Sequence, residues 1–485
     1  MTPSVTAGPT AGDAPAPPSK FRRAVPWAAA AVALAASLAA GLLSAAPTMW
    51  GLLPIALYAA LSLTGMNLLA VTAIAVAGAV LVALPPLGAT VDVLTASVTE
   101  PVTVIGLIIV LGAAVGEVLR VTGVADSLVR GILRVADGHG RIALMYGMLC
   151  ACLVLVAGLG TLAGALAIAA PLLVPVAARA GFTRSATAAT MFLGGCAGLA
   201  LAPFAGSNIA IMKTADTGYL TYVLVGAGPL ALLSLLLAAV VVPWVQRRSA
   251  AQDDFYRPDE VTEDAGGVAG DGPADAAAAA RTRHATWAFV IVLVLTVLYA
   301  ALSEAGTTFP LTALPLMAVC TAAAARLSPL RALKAFLTGA RGMLPMLLLF
   351  WLLAALFGFI DLLQPYDVVL ETYGPGLRGM SALPFALAVA ALGWVGVPGA
   401  TAAQVVLIGE VFGPLGSDIG VTPAAWVIVL LWASKADTYG PLPNANMVGA
   451  MGLARAGRLP YLLGTGWALL IPACALYTIL LVVLL

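Results

Sequence analysis

Charged residues are scarce in this chain: Lys, Arg, Asp and Glu make up 9% of 485 residues, and the formal net charge is +1. Because no strong field of either sign results, nucleic acid is not an expected partner. The chain has two histidines and five cysteines, without metal-site spacing or a nucleophile motif, and the cysteines lie in apolar segments that predict buried structural thiols. We therefore predict no cofactor, no metal and no enzymatic activity.

Apolar residues dominate, with a hydrophobic share of 62% and a mean hydropathy of +1.04. Residues 25–46, 102–119, 222–245 and 286–302 form runs long enough, or nearly so, to cross about 30 Å of hydrocarbon. This pattern predicts an all-α, polytopic membrane protein of the cell membrane. The Ala- and Pro-rich residues 1–24 are predicted to be a disordered cytoplasmic tail.

Two apolar stretches contain the same order of helix-interrupting residues, with Gly160 and Gly399 standing 239 positions apart. The first has Gly160-Thr161, Pro175, Gly181, the segment from Pro203 to Asn208, and Tyr222, whereas the second has Gly399-Ala400, Pro414, Gly420, the segment from Pro441 to Asn446, and Tyr461. Paired interruptions of this kind are a sequence signal for a transporter binding site.

Basic residues predict the topology because they concentrate in short cytoplasmic loops. The clusters are Arg120, Arg130, Arg134 and Arg141; Arg179 and Arg184; Arg247 and Arg248; Arg326, Arg331, Lys334 and Arg341; and Arg455 and Arg458. If all five basic clusters face the cytoplasm, the first copy begins and ends on the cytoplasmic side and the second copy begins and ends on the outer side of the membrane. The copies are therefore predicted to be inverted-topology repeats.

The predicted domains follow from this threading. They are a tail (1–24), scaffold helices (25–101), the first inverted repeat (102–246), a cytoplasmic linker (247–285), further scaffold helices (286–341) and the second inverted repeat (342–485). Each repeat is predicted to contain a spanning helix, an amphipathic surface helix (121–138 or 362–379), a glycine-split hairpin (142–178 or 382–415) and a broken helix. Hairpin arms of about sixteen residues favour a re-entrant hairpin over two spans.

This order of elements resembles the ion transporter superfamily, which includes gluconate, C4-dicarboxylate and citrate permeases, the large subunit of tripartite organic-acid transporters, and some sodium/proton antiporters. The hairpin sequence from Gly158 to Gly181 is particularly similar, and the resemblance covers residues 102–485. The chain lacks the paired Ser-Asn-Thr hairpin tips of the sodium-coupled dicarboxylate branch. The resemblance implies an elevator-type motion of hairpins and broken helices against a scaffold, within a homodimer.

The helix breaks supply the candidate substrate-binding residues. Half-helix N-termini favour carboxylates, whereas freed carbonyl groups favour cations. The candidates are Gly160, Thr161, Gly206, Ser207, Asn208, Gly399, Thr401, Gln404, Asn444, Asn446 and Lys435. Alternatively, the same glycines, prolines and asparagines only terminate helices at loop ends.

Charges inside apolar sequence are costly and indicate function. We predict that Lys435 attracts an anion or pairs with Asp437, and that Asp437 and Glu410 couple transport to protons. In the structural alternative, Lys435 and Asp437 form an ion pair in a cytoplasmic loop.

The leading hypothesis from the sequence is proton-coupled symport of a small organic anion, a carboxylate. The alternative on the same fold is sodium/proton antiport, in which Asp437 and Glu410 bind the cation. A membrane-embedded enzyme is the weakest of the three, because no catalytic cluster is present.

Overall fold

The structure is a computed structural model that describes residues 20–62, 64, 66–136, 138–257, 273–302, 308–365, 368, 371–372, 381–395, 401–440 and 443–485. The chain is helical throughout these ranges, apart from turns and one isolated β-bridge between Thr183 and Phe255. Nine stretches in the described part of the chain are long and apolar enough to cross a membrane.

The helices outside the two copies form two groups. The N-terminal group is α1 (Lys20–Leu43), α2 (Leu53–Ser62), α3 (Leu68–Ala83) and α4 (Leu87–Thr99), and the central group is α13 (Pro273–Leu302), α14 (Pro310–Ala324) and α15 (Pro329–Gly342). Both groups belong to the predicted scaffold, whose boundaries remain a prediction.

The first copy contains eight helices in the predicted order. They are α5 (Pro101–Val121), α6 (Val124–Ala136), α7 (Arg141–Leu159), α8 (Leu162–Arg179), α9 (Arg184–Leu201), α10 (Gly206–Thr214), α11 (Tyr219–Tyr222) and α12 (Gly228–Ala250). A π-helical turn over Val223–Ala227 joins α11 to α12. The hairpin is α7–α8, and the broken helix is α9–α10.

The second copy repeats this order where it is described. Its helices are α16 (Leu344–Asp361), α17 (Ala382–Leu392), α18 (Thr401–Ile419), α19 (Pro423–Tyr439), α20 (Ala445–Leu453) and α21 (Leu459–Leu484). The predicted surface helix 362–379 and the hairpin tip at Gly399 lie largely outside the described residues.

Several predicted lengths were wrong. The arms of the first hairpin, α7 and α8, have 19 and 18 residues, because apolar sequence continues to the glycine break on one side and to the arginines on the other. The predicted linker 247–285 begins and ends in helix: α12 continues to Ala250, and α13 starts at Pro273. Likewise α1 starts at Lys20, within the predicted tail.

Equivalent helices of the two copies begin with the same cap. The Thr183 hydroxyl accepts a hydrogen bond from the backbone N–H of Ala186 at 3.2 Å, at the start of α9. The Thr422 hydroxyl accepts from the N–H of Ala425 at 3.2 Å, at the start of α19. A threonine N-cap satisfies one of the free N–H groups of a helix start, so the repeated threonines mark the same boundary twice.

The segment 251–257 after α12, which we call the strap, joins the two copies. The Asp254 carboxylate accepts hydrogen bonds from the backbone N–H and the hydroxyl of Ser185, at the start of α9. The Tyr256 hydroxyl donates to the carbonyl oxygen of Ala454, in the turn between α20 and α21, at 2.9 Å. Burial raises the pKa of Tyr256 to about 12, so its hydroxyl stays protonated and able to donate at neutral pH.

We call the end of the bundle near the strap the arginine face. It contains the end of α12, the α8–α9 turn and the α20–α21 turn, and the Arg141 guanidinium at the start of α7 donates to the carbonyl of Gly181 there. Both ends of the first hairpin therefore lie at one face, as predicted. The second, third and fifth basic clusters also meet there.

The strap contacts show that the repeats are inverted. The broken helix α9–α10 starts at the arginine face, whereas its equivalent, the broken helix α19–α20, ends there. Likewise α12 ends and α21 starts at this face, since Tyr461 of α21 donates to the Arg248 carbonyl. Equivalent helices therefore run in opposite directions.

The spanning helices α5 and α16 also pack together in opposite directions. A Cβ added at Gly106 of α5 would meet the backbone of Leu347 and the side chain of Phe350 in α16. Farther along α5, Ala113 and Ala114 meet Gly339 of α15, which precedes α16 in the chain. Residue numbers increase along α5 while those of the contacting residues in α16 and α15 decrease. Helix α5 therefore runs antiparallel to the chain path from α15 to α16.

Candidate functional site

The tip of the first hairpin packs against the first helix break. Gly160 caps α7 in the left-handed region, with φ of +68° that favours glycine. A Cβ added there would lie 3.4 Å from the backbone of Phe204 and Ala205, between α9 and α10. Thr161 follows in extended backbone and caps α8 without a side-chain hydrogen bond.

Protein donors occupy the carbonyl groups at the end of α9. The buried Asn208 amide donates to the carbonyl oxygens of Leu199 and Ala202, each at 2.8 Å, and to that of Ala200 at 3.2 Å. The hydroxyls of Tyr222 and Tyr219 donate to the carbonyls of Ala200 and Leu201 at 2.8 and 2.6 Å. Asn208 thus joins the two half-helices, and these carbonyls already have partners.

A cavity of about 190 Å³ lies beside this break. Its lining includes four predicted site residues, Gly160, Gly206, Ser207 and Thr401, together with Phe350 of α16. No side chain caps the start of α10, where the buried Gly206 is in contact with Ile109 of α5.

Two helix starts meet at this cavity. Gly206 and Ser207 are the first residues of α10, and Thr401 is the first residue of α18. Backbone N–H groups at a helix start have no partner within the helix and carry a partial positive charge. The cavity therefore combines two positive helix ends, one from each copy, with the Ser207 and Thr401 hydroxyls.

Gln404 does not line this cavity and instead holds the second hairpin together. Its buried side-chain amide donates to the carbonyl of Gly393 at 2.9 Å and to that of Ala433 in α19 at 3.4 Å. Its Oε1 atom is buried and accepts no hydrogen bond from the described residues. Gln404 thus connects both arms of the hairpin to the broken helix α19–α20.

The second break is closed by one asparagine. The Asn444 side chain accepts from the backbone N–H of Met447 at 2.9 Å and donates to the carbonyl of Thr438 at 3.0 Å. Asn444 therefore connects α19 to α20, as Asn208 connects α9 to α10. Asn446 lines a separate cavity of about 360 Å³ between α8 and α20, so the structure does not bring it together with Ser207.

Lys435 is a buried cation in the interior, with only 2% of its surface exposed. The structure places it within electrostatic range of Cys196, the residue 239 positions earlier in the first copy. The salt bridge found within the described ranges joins Arg120 to Glu117 and does not involve Lys435. Asp437 lies two residues further along α19, and its side chain is outside the described part.

Glu410 does not reach the cavity. It is exposed on α18, on the far side of the bundle from the arginine face, within electrostatic range of Asp361 and Glu100. Glu100 precedes α5 and Asp361 ends α16, so three carboxylates from three elements come near one another.

Sequence reasoning missed the tyrosines that donate to the end of α9. Tyr222 and Tyr461 recur at matched positions, which was an available signal. However, Tyr222 donates to the Ala200 carbonyl inside its own copy, whereas Tyr461 donates to the Arg248 carbonyl across the arginine face. Identical sequence positions thus have different partners in the two copies.

A family model described as the Na+/H+ antiporter family matches residues 23–243, which is less than half of the chain. The matched stretch covers nearly all of the first copy, and Lys435, Asp437 and Glu410 lie outside it. No curated protein matches the chain. Among solved structures, the chain is similar to the YdaH transporter from Alcanivorax borkumensis, with 17% sequence identity and a TM-score of 0.53. That match covers 80% of this chain and 86% of the other, whose crystal structure is described as having an unusual topology.

The described residues are helical and include nine stretches long and apolar enough to cross a membrane, which confirms the predicted all-α, polytopic fold class, and the fold is similar to that of the YdaH transporter. The family match supports a membrane transporter, and neither its description nor that of the YdaH structure names an organic-anion permease.

Proposed function

We propose that the protein is a secondary active antiporter that exchanges a small cation, sodium, for protons across the cell membrane, with its N-terminus in the cytoplasm. The observation that carries this proposal is the match of residues 23–243 to the Na+/H+ antiporter family. It reverses the order of the two hypotheses that the sequence favoured, because symport of a carboxylate has no support from that match.

The two coupling residues have different tasks in this proposal. Asp437 binds either a proton or the cation, and this competition for one carboxylate makes the exchange obligatory. Exposed Glu410, with Asp361 and Glu100 nearby, raises the local concentration of cations at the outer entrance. Buried Lys435, one helical turn before the second break, balances the charge on Asp437 when neither ion is bound.

The conformational change in this proposal is an elevator-type motion within a homodimer. The hairpins and broken helices, tied together by Gln404 and the strap, move against the scaffold of residues 25–101 and 286–341. The cavity of about 190 Å³ lies between the hairpins and broken helix on one side and the spanning helices α5 and α16 on the other, since its lining includes Gly160, Ile109 and Phe350.

Reconstitution into proteoliposomes tests this function directly. Vesicles with an acidic lumen and an internal pH dye receive external sodium, and antiport predicts alkalinisation of the lumen that rises with sodium concentration and saturates. Choline in place of sodium is the matched control for ionic strength. Proton movement that is the same with choline and with sodium contradicts the proposal.

A second candidate, proton-coupled uptake of a small carboxylate, is favoured by one geometric feature. The starts of α10 and α18 meet at the cavity lined by Ser207 and Thr401, and such helix ends attract anions. Donors of the protein occupy the neighbouring α9 carbonyls, which a cation would otherwise use. Accumulation of labelled carboxylates under a pH gradient without sodium would favour this candidate; no accumulation excludes it.

A further inference from the structure

The cavity of about 360 Å³ between α8 and α20, which we call the groove, is the counterpart of the cavity of about 190 Å³ at the first break. The smaller cavity is lined at the starts of α10 and α18, where Ser207 and Ala402 lie. Their equivalents in the other copy, 239 positions away, are Asn446 and Ala163, and both line the groove. Equivalent helices of the two inverted copies therefore form the two cavities.

The two cavities differ in how far their walls are buried. Val448 of α20 lines the groove and is 57% exposed, whereas its equivalent Ile209 of α10 is 1% exposed. On the other wall Ala163 of α8 is exposed, whereas its equivalent Ala402 of α18 is 9% exposed. The same difference separates Ala167 from Val406 and Ala445 from Gly206. Equivalent residues would be equally buried if both copies had the same surroundings, so the surroundings differ.

The spanning helices cover one cavity and not the other. Ile109 of α5, with Met346 and Phe350 of α16, lines the smaller cavity, and Ile109 lies against Gly206. The groove is lined by residues of α8 and α20 alone, among those that the structure describes. Helices α8 and α20 run from the breaks to the arginine face, whereas α10 and α18 run away from it. The two copies are thus covered on the half far from the arginine face and open on the near half.

We propose that the groove is the path by which the transported ion, with its water, passes between the breaks and the cytoplasm, and that this structure is the state open to that side. The proposal rests on the proposed function in requiring an ion that crosses the membrane. Asn446 is the polar side chain at the inner end of this path. Alternating access moves one part of a transporter against the other around a fixed site. In the opposite state, α5 and α16 therefore cover α8 and α20 and uncover α10 and α18.

The first experiment tests whether the groove contains water. A thiol reacts as its thiolate, which forms where water solvates the charge. A charged, membrane-impermeant thiol reagent on the cytoplasmic side should therefore modify Ala163→Cys and Val448→Cys many times faster than their equivalents Ala402→Cys and Ile209→Cys. Labelling of the five native cysteines in the wild type is the baseline. Labelling from the outer side only, labelling by a lipid-soluble maleimide only, or labelling by neither reagent would overturn the proposal, because acyl chains or a second copy would then fill the groove.

The second experiment tests whether the groove must close during transport. Gly449 lines the groove, and a Cβ added there meets nothing within 4 Å, so Gly449→Phe fits this state and obstructs both the path and its closure. The variant should lose transport in proteoliposomes and keep the wild-type melting temperature. Gly131→Phe, on the exposed side of α6 and equally free of neighbours, is the matched control and should keep transport. Equal transport by the two variants would contradict the proposal.

The two experiments separate this proposal from the proposed function. Thiol labelling requires no transported ion, so it decides the place of the groove whichever ion the protein moves. Labelling as expected, without sodium-driven proton movement in the wild type, would reject the antiport and keep the groove as the path of another solute. Sodium-driven proton movement together with an unlabelled groove would keep the antiport and reject the path.

Discussion

The asparagines at the helix breaks make hydrogen bonds within the protein, and these bonds limit how the same side chains can bind a solute. Asn208 uses its amide to satisfy carbonyls of α9, and Asn444 uses both ends of its side chain to close the second break. The helix-terminating alternative therefore describes these two asparagines, while Ser207 and Thr401 remain at the cavity. The binding role of all of them is still a prediction.

Replacing Asn208 with alanine should destabilise the protein. The Leu199 and Ala202 carbonyls would keep only long backbone hydrogen bonds of 3.4 Å, from the N–H groups of Ala202 and Ala205, so the loss in the interior should cost about 1–3 kcal/mol in total. Thermal unfolding in detergent measures the loss, and Ser207→Ala is the neighbouring control, expected to change stability by less than about 0.5 kcal/mol. Equal stability of the two variants would contradict the role assigned to Asn208.

Gly160→Ala should impair transport more than stability. Both Gly160 and Gly138 have positive φ, +68° and +78°, so alanine at either position strains the backbone by about 1–2 kcal/mol. Only at Gly160 would the new methyl group touch the Phe204–Ala205 break and line the cavity, whereas nothing lies within 4 Å of one at Gly138. The transport rate per folded protein should fall for Gly160→Ala and not for Gly138→Ala. An equal fall in the transport rate of Gly138→Ala would show that backbone strain, rather than contact with the cavity, causes the effect.

At the scale of elements, much of the architecture could be predicted because its causes are local. Glycine, proline and threonine end or begin helices through their own backbone and side-chain chemistry, so breaks and caps such as Gly160 and Thr183 are visible in the sequence. The meeting of Lys435 with Cys196 and the separation of Asn446 from Ser207 depend on how distant helices pack, and no local pattern encodes either one.

The strap lies within residues 247–285, which the sequence composition predicted to be a linker. Asp254→Asn should remove the charge that caps α9 and loosen the contact between the copies, with a loss of about 1 kcal/mol. Asp253→Asn is a matched control, since this exposed neighbour tolerates asparagine at its φ of +54°. Thermal unfolding of both variants measures the loss of stability. Equal losses in Asp254→Asn and Asp253→Asn would contradict a special role for Asp254.

The strap should also respond to strongly alkaline pH. Because the pKa of Tyr256 is raised by burial to about 12 from its ordinary value near 10, its hydrogen bond to Ala454 contributes fully below pH 10. The contribution is lost as the pH rises toward 12. Unfolding followed from pH 8 to 12 should therefore show a constant stability difference between the wild type and Tyr256→Phe up to about pH 10 and a shrinking difference above it; a difference that stays constant up to pH 12 would contradict the assigned proton.

For the whole molecule, inversion of the two copies explains why similar sequence produces different chemistry. The shared residues of the breaks come from both copies, whereas Lys435, Asp437 and Glu410 occur in the second copy opposite Cys196, Gly198 and Pro171 in the first. Opposed copies give the protein two related faces for alternating access. In the proposed function, the unshared charges determine which ion accompanies the change between them.

The most direct test of this account is sodium-driven proton movement in proteoliposomes containing Asp437→Asn, compared with Asp418→Asn, an exposed change in the same copy. Neutral asparagine cannot exchange a proton for a cation, so alkalinisation of the lumen should disappear in the first variant and persist in the second. Sodium-dependent exchange at the wild-type rate in Asp437→Asn would contradict the account, because coupling would then not depend on this carboxylate.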